Sequence, residues 1–184
     1  LATARALAKA NIVAFERAPD ARIAVNAAGC GAMLKEYGHL LSDDHGWHAR
    51  AAAVAARAYD ATELLAAAGP KPASLATRVT ATYDAPCHLQ HAQRLTAPPL
   101  TVLRAIDNLT VTPLVDSDQC CGSAGIYNLI EPEVSEAVLA PKLGHIAATQ
   151  ADVVVTGNPG CLMQIGAGLL RNGSAVRVVH PIDL

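Results

Sequence analysis

From Leu1 to Arg17 apolar residues, mostly Ala and Leu, recur at helical spacing with charged positions between them, and the pattern stops before Pro19-Asp20. Arg22 to Val25 is a short β-type run closed by the turn Asn26-Ala-Ala-Gly29. Ala32 to Gly38 reads as a short helix ended by glycine, which leaves the helical region at little cost. His45 to Ala68 reads as one long Ala-rich helix, stopped by Gly69-Pro70-Lys71-Pro72. Proline and glycine interrupt both helix and strand, so this cluster is taken as the boundary between residues 1–69 and 70–184.

Beyond the boundary, Val79 to Tyr83 is a β-type run, and His88 to Leu95 reads as helix up to a break at Pro98-Pro99. Leu100 to Ile106 adds a helical turn or two, and Leu109 to Val115 another strand. Glu133 to Gln150 reads as a full helix, Asp152 to Thr156 as a Val-rich strand of the buried kind, Leu162 to Arg171 as a helix and Val176 to Val179 as a last strand. The alternation predicts an α/β fold: a mostly parallel sheet with flanking helices and right-handed crossovers. Sites in open sheets of this kind form at the carboxyl ends of strands.

All five cysteines, Cys30, Cys87, Cys120, Cys121 and Cys161, follow such strand ends and open helix-like stretches. A helix N-terminus there would lower thiolate pKa values and help compensate an anionic group. Cys120 and Cys121 are adjacent, within Asp118-Gln-Cys-Cys-Gly-Ser-Ala-Gly125. Consecutive side chains in regular structure point in different directions, which makes the pair a poor core filler and a good holder of something polynuclear. The plain alternative is two buried thiols, since free cysteine is among the most buried residue types. Zinc sites usually draw four ligands from close pairs, and no two of these cysteines stand in a CxxC pair. The irons of an iron-sulfur cluster lie several ångströms apart, so neighbouring thiolates can reach different ones.

Composition narrows the classes. The 184 residues are 52% hydrophobic, enough for a proper core, and only 3% aromatic, so packing relies on Ala, Val, Leu and Ile. A net charge of −2 and a pI near 6.4 leave no electrostatic footprint for nucleic acid, and that partner class is set aside. No apolar run approaches the roughly 20 residues of a membrane span, and no signal-peptide pattern is visible. A cytoplasmic location is expected, and cysteines in such a chain argue against a disulfide framework. A start at Leu1 without Met marks the chain as an expected piece of a longer polypeptide.

Cys87, then Cys120-Cys121-Gly122, then Cys161 resembles the CCG cysteine-rich domain of the heterodisulfide reductases and their relatives. Four longer blocks, Asn26-Ala-Ala-Gly-Cys-Gly-Ala-Met-Leu-Lys-Glu-Tyr-Gly, Asp84-Ala-Pro-Cys-His-Leu-Gln-His-Ala-Gln, Cys120-Cys-Gly-Ser-Ala-Gly-Ile-Tyr-Asn and Gly157-Asn-Pro-Gly-Cys-Leu-Met-Gln-Ile, resemble the C-terminal part of the glycolate oxidase iron-sulfur subunit family. The blocks occur in the family's order and cover nearly the whole chain.

That resemblance implies an electron-transfer subunit without a catalytic acid, base or nucleophile of its own. Flavoprotein partner subunits carrying FAD would oxidise glycolate to glyoxylate, and electrons would pass to a respiratory acceptor, with peripheral association at the inner membrane face through the complex. It also implies an iron-sulfur cluster on Cys87, Cys120, Cys121 and Cys161. Four thiolates suffice for a 4Fe-4S cluster, with cubane and non-cubane forms both open. Residues 1–69 would be the tail of a first cysteine-rich repeat, with Cys30 as its last ligand, and 70–184 a complete second repeat. The family's CxxC would put a cysteine at Asn158, and Ala27 is the matching position before Cys30, so the five-thiolate cluster of the reductase relatives lacks a ligand.

Related readings are a subunit of a lactate-utilisation or glycerol-3-phosphate dehydrogenase complex. From other classes, the chain is read as a zinc-binding or metal-free structural remnant, or as a thiol enzyme, for which no suitably spaced base stands out. His88 and His91 share a helical face and read either as donors to metal or cluster sulfur, or as solvent-facing residues; His45 and His48 read as surface. Lys35-Glu36-Tyr37 is either a partner contact or a solvated face. Gly122, Ser123 and Gly125 allow close backbone approach and N–H donation to sulfur, or form an ordinary tight turn.

Overall fold

The computed structural model describes every residue from Leu1 to Leu184. Its first lobe comprises α1 (Ala2–Phe15), β1 (Ile23–Val25), α2 (Ala28–Lys35), α3 (Tyr37–Leu40), α4 (His48–Ala55), β2 (Ala58–Asp60) and α5 (Ala61–Ala68). β1 and β2 pair in parallel. Ala8 and Ile12 of α1 meet Leu34, Tyr37, Leu41, Ala51 and Val54 in a buried core. Trp47 lies at its edge beneath two cations, Arg50 at 4.0 Å and Lys9 at 5.1 Å from the ring centroid. Arg50 also donates to both carboxylate oxygens of Glu16, at 2.8 and 2.6 Å.

The helix expected over His45 to Ala68 is instead two helices with β2 between them. Asp60 is extended, at φ −65° and ψ 144°, and its carboxylate accepts from the Thr62 N–H while Glu63 reaches back to the Asp60 N–H. This capping box satisfies amide groups that an uninterrupted helix would have paired internally, and so restarts the helix at Ala61. Tyr37 is a core residue whose hydroxyl accepts from Asn11, and half-buried Lys35 pairs with Glu63 at 3.4 Å.

The second lobe runs β3 (Ala73–Asp84), a single π-turn at His88–Ala92, α6 (Ala97–Arg104), β4 (Ile106–Thr112), α7 (Tyr127–Ile130), α8 (Pro132–Thr149), β5 (Val153–Thr156), α9 (Pro159–Arg171) and β6 (Arg177–Val179). The sheet is parallel throughout in the order β4-β3-β5-β6. All four β5 residues are buried, as a strand covered on both faces requires. Val154 packs with Leu139, Ile146, Ile165 and Leu169 of α8 and α9, while Val153 and Val155 pack with Leu103 of α6. A Cβ on Gly168 would come within 2.7 Å of Leu139, so glycine lets α9 lie close on α8.

β3 and β4 both begin earlier than their Val- and Leu-rich stretches indicate, and the helix expected at His88 contracts to the π-turn. Pro98 and Pro99 sit in the first turn of α6 rather than breaking the chain before it; no intrahelical partner is lost there, because the first amides of a helix have none. Replacing Asp60 with Ala is expected to lower the unfolding free energy by about 1 kcal/mol, measured as a lower urea midpoint at unchanged slope.

Candidate metal centre

The strand order reverses between β3 and β5: the chain moves outward from β3 to β4, then crosses back to β5 and on to β6. At such a switch point the loops on either side diverge and leave a crevice beyond the strand ends. Here the crevice is a cavity of about 330 Å³, and all five cysteines line it. Cys87 follows β3, Cys120 and Cys121 lie in the loop after β4, Cys161 follows β5, and Cys30 arrives from the first lobe after β1. Cys121 and Cys161 are each 3% exposed with sulfurs 3.1 Å apart; Cys87 and Cys120 are half-buried, and Cys30 is exposed at the rim.

Cys30 and Cys161 occupy equivalent places in their lobes. Each is the third residue of the helix after a strand, and the N-caps before them, Ala27 and Asn158, share one backbone conformation (φ −136°, ψ 108° and φ −139°, ψ 122°). The two helix starts meet: Ala28 N donates to Gly157 O at 3.1 Å, Gly29 N to Asn158 Oδ1 at 3.4 Å, and Gln93 Nε2 to Ala28 O at 2.8 Å. Two helix N-termini therefore open on one cavity, where their partial positive charge favours an anionic occupant. Asn158, where the resemblance would put a cysteine, donates an amide hydrogen bond to Cys161 Sγ at 3.5 Å.

The turn after the vicinal cysteines depends on Gly122. Its φ is +85°, a region glycine enters freely, and a Cβ there would lie 2.4 Å from Ser135 O. Ser135 Oγ donates to Gly122 O at 2.8 Å and accepts from Gln164 Nε2 at 2.9 Å, and Gln164 Oε1 accepts from Asn128 at 2.9 Å. The Gly122 N–H donates to Cys120 Sγ at 3.3 Å, the N–H to sulfur contact expected of this turn.

Burial pushes the Cys87 thiol up, and the nearby Cys120 and Cys121 sulfurs add to the shift. The Cys121–Cys161 hydrogen bond lowers Cys121 and, together with burial, raises Cys161, so the pair retains a proton that metal binding must displace. No three His, Cys, Asp or Glu side chains stand together as ligands of a single metal ion. Five thiols line the one cavity, more than the four ligands that a lone tetrahedral zinc takes.

His88 lines the cavity with Nδ1 3.7 Å from Cys87 Sγ, whereas His91 is exposed and away from it; His45 and His48 are exposed. Gln93, Ser135 and Gln164 support the site and carry no signature in the sequence beyond a polar residue beside apolar ones.

The chain matches the cysteine-rich CCG domain family over residues 81–166. It is 41% identical over 186 aligned residues to the probable glycolate oxidase iron-sulfur subunit of Bacillus subtilis, an alignment covering 99% of this chain and 42% of that protein. It is 35% identical to lactate utilization protein A of Shouchella clausii, over 90% of this chain and 70% of the relative, and 36% identical to the Geobacillus kaustophilus protein of the same name, over 88% and 68%. The chain thus spans less than half the length of the Bacillus subtilis relative.

Gly122→Ala is expected to destabilise the protein by at least about 1–3 kcal/mol through its left-handed conformation alone, read as a fall in the urea midpoint, and to expose Cys121 to alkylation. Cys87 titrates above the ordinary thiol range, so its thiolate fraction should rise about tenfold per pH unit from pH 7 to 9. Iodoacetamide labelling of the metal-free protein, followed by peptide mass spectrometry, should show that climb without a plateau.

Proposed function

Because the chain belongs to the CCG cysteine-rich family represented by lactate utilization protein A and the glycolate oxidase iron-sulfur subunit, we propose that it is the iron-sulfur electron-transfer module of a 2-hydroxy-acid-oxidising complex. The carrying observation is the convergence of Cys87, Cys120, Cys121 and Cys161 on one cavity at the switch point of the sheet. When bound, a 4Fe-4S cluster would accept and release single electrons. The four thiolates would hold it, with Cys30 as a fifth donor from the rim. The N-termini of α2 and α9 would offset its negative charge, the Gly122 N–H and the Asn158 side-chain amide face sulfur, and the buried walls around Cys121 and Cys161 would keep water away.

The two equivalent helix starts support reading residues 1–69 as the tail of one cysteine-rich repeat and 70–184 as a second. Electrons would come from a flavoprotein subunit carrying FAD and pass toward a respiratory acceptor, at the cytoplasmic face of the membrane. A docking face is at hand: Ile126, Leu129 and Ile130 are 67%, 76% and 63% exposed directly after the cysteine turn, and Met163 at the cavity mouth is 65% exposed. No helix is long and apolar enough to cross a membrane, so attachment there would run through the complex. Glycolate is the first-choice substrate of that complex from the 41% identical relative, and lactate the second from the lactate utilization proteins.

Anaerobic reconstitution should load about four irons and matching sulfide per chain, with an EPR signal on reduction. Cys120→Ser should abolish most of the signal, and Asn158→Cys should change its shape. Uptake of zinc alone, or of no metal, would move the protein to a structural role.

A further inference from the structure

Lys142 sits in the middle of α8 with its side chain 1% exposed. Withdrawing an ammonium from water is costly unless its hydrogens find acceptors. Here they do: Nζ donates to Asp84 Oδ1 at 2.5 Å, to Ser117 O at 3.1 Å and to Asp116 O at 3.5 Å. The other Asp84 oxygen accepts from Thr156 Oγ1 at 2.8 Å. Asp84 ends β3 just before the turn to Cys87, Asp116 and Ser117 precede Cys120, and Thr156 ends β5 just before the turn to Cys161. One ammonium and its counter-ion thus join the three loops of the second lobe that carry thiols.

A backbone hydrogen bond and a tight turn join the same loops. Ala85 N donates to Ser117 O at 3.1 Å, so the carbonyl that faces Lys142 also ties the Cys87 loop to the Cys120 loop. Asp116 adopts a left-handed φ of +50°, a turn conformation that Asp accepts more readily than most residues and that aims its carbonyl at Lys142. A buried ion pair is weak evidence of a purely stabilising role, since it can often be exchanged for apolar residues without loss. Lys142 touches no sulfur; it acts through the backbone of the loops.

We propose that Lys142 is a positioning residue that, with Asp84 and Thr156, locks the Cys87, Cys120–Cys121 and Cys161 loops into one frame. The inference rests on the cluster reading above for its purpose and on the metal-free protein for its geometry. The experiment therefore has two readouts. Asp84→Asn combined with Lys142→Met removes both charges and keeps an acceptor for Thr156.

In the metal-free double variant, amide exchange of residues 113–122 should rise about tenfold or more while exchange in β5 stays unchanged. On reconstitution it should hold less than half the iron of the unaltered protein. Exchange that is unchanged, or that rises evenly across the whole sheet, overturns the proposal. If the unaltered protein takes up no iron, the cluster reading fails on its own, and the exchange pattern still decides the role of Lys142. If the double variant does not fold, Thr156→Val cuts only the link to the Cys161 loop: faster exchange confined to residues 157–161 supports the clamp, and none overturns it.

Discussion

β3 and β5 pair in parallel and run out together, with Asp84 opposite Thr156 as the last pair of the register. The loops to Cys87 and Cys161 therefore leave the sheet at one height, and everything at the cavity is measured from that line. A slip of one residue would turn Val154 from the α8–α9 side to the α6 side and carry one thiol out of reach of the others. The β4 loop must travel further to reach the same place, and it does so through two tight positions: Asp116 with positive φ, then Gly122 pressed against Ser135. The register fixes two thiol loops directly, and the polar contacts beneath the cavity draw in the third.

Charge at the cavity is arranged in layers. The thiols are a latent concentration of negative charge: burial holds Cys87 in its neutral form, and the hydrogen bond with Cys121 together with burial does the same for Cys161. Two helix N-termini face them from opposite lobes, and Lys142 lies buried below, neutralised by Asp84. Burial pushes the Asp84 carboxyl up while the ammonium opposes that shift. The site thus tolerates anionic sulfur through fixed dipoles, which are already oriented in the metal-free protein. Cys30 belongs to this arrangement because its helix abuts α9, although it comes from the other lobe.

The alternation of helix and strand, and the position of each cysteine past a strand end, were legible because both rest on local patterning. Uninterrupted Val-rich segments mark buried parallel strands, and Gly or Pro turns mark their ends. The longest misread segment was His45 to Ala68, where alanine favours helix so evenly that β2 left no trace in the periodicity; the Asp60 and Glu63 capping box was the one written sign of the restart. Asn158 stood out by its place in a motif. Lys142, Ser135 and Gln164 did not, because their roles depend on partners in distant segments of the chain. A lysine among helical residues reads as solvent-facing by default, and only the packed fold shows the acceptors around it. That Cys30 shares the cavity was likewise hidden, since Gln93 and Asn158, which dock its helix, lie far along the chain.

Trp47 is the chain's single tryptophan, and it is packed into the first lobe beneath Lys9 and Arg50. Intrinsic fluorescence is consequently a private signal of the lobe that carries Cys30. The second lobe, with the other four cysteines, is dark at the wavelengths where tryptophan dominates and becomes visible only through the absorbance of whatever its thiols hold. The two optical signals divide the molecule along the seam where α2 meets α9, so coincident or separate transitions would tell whether the lobes melt as one body.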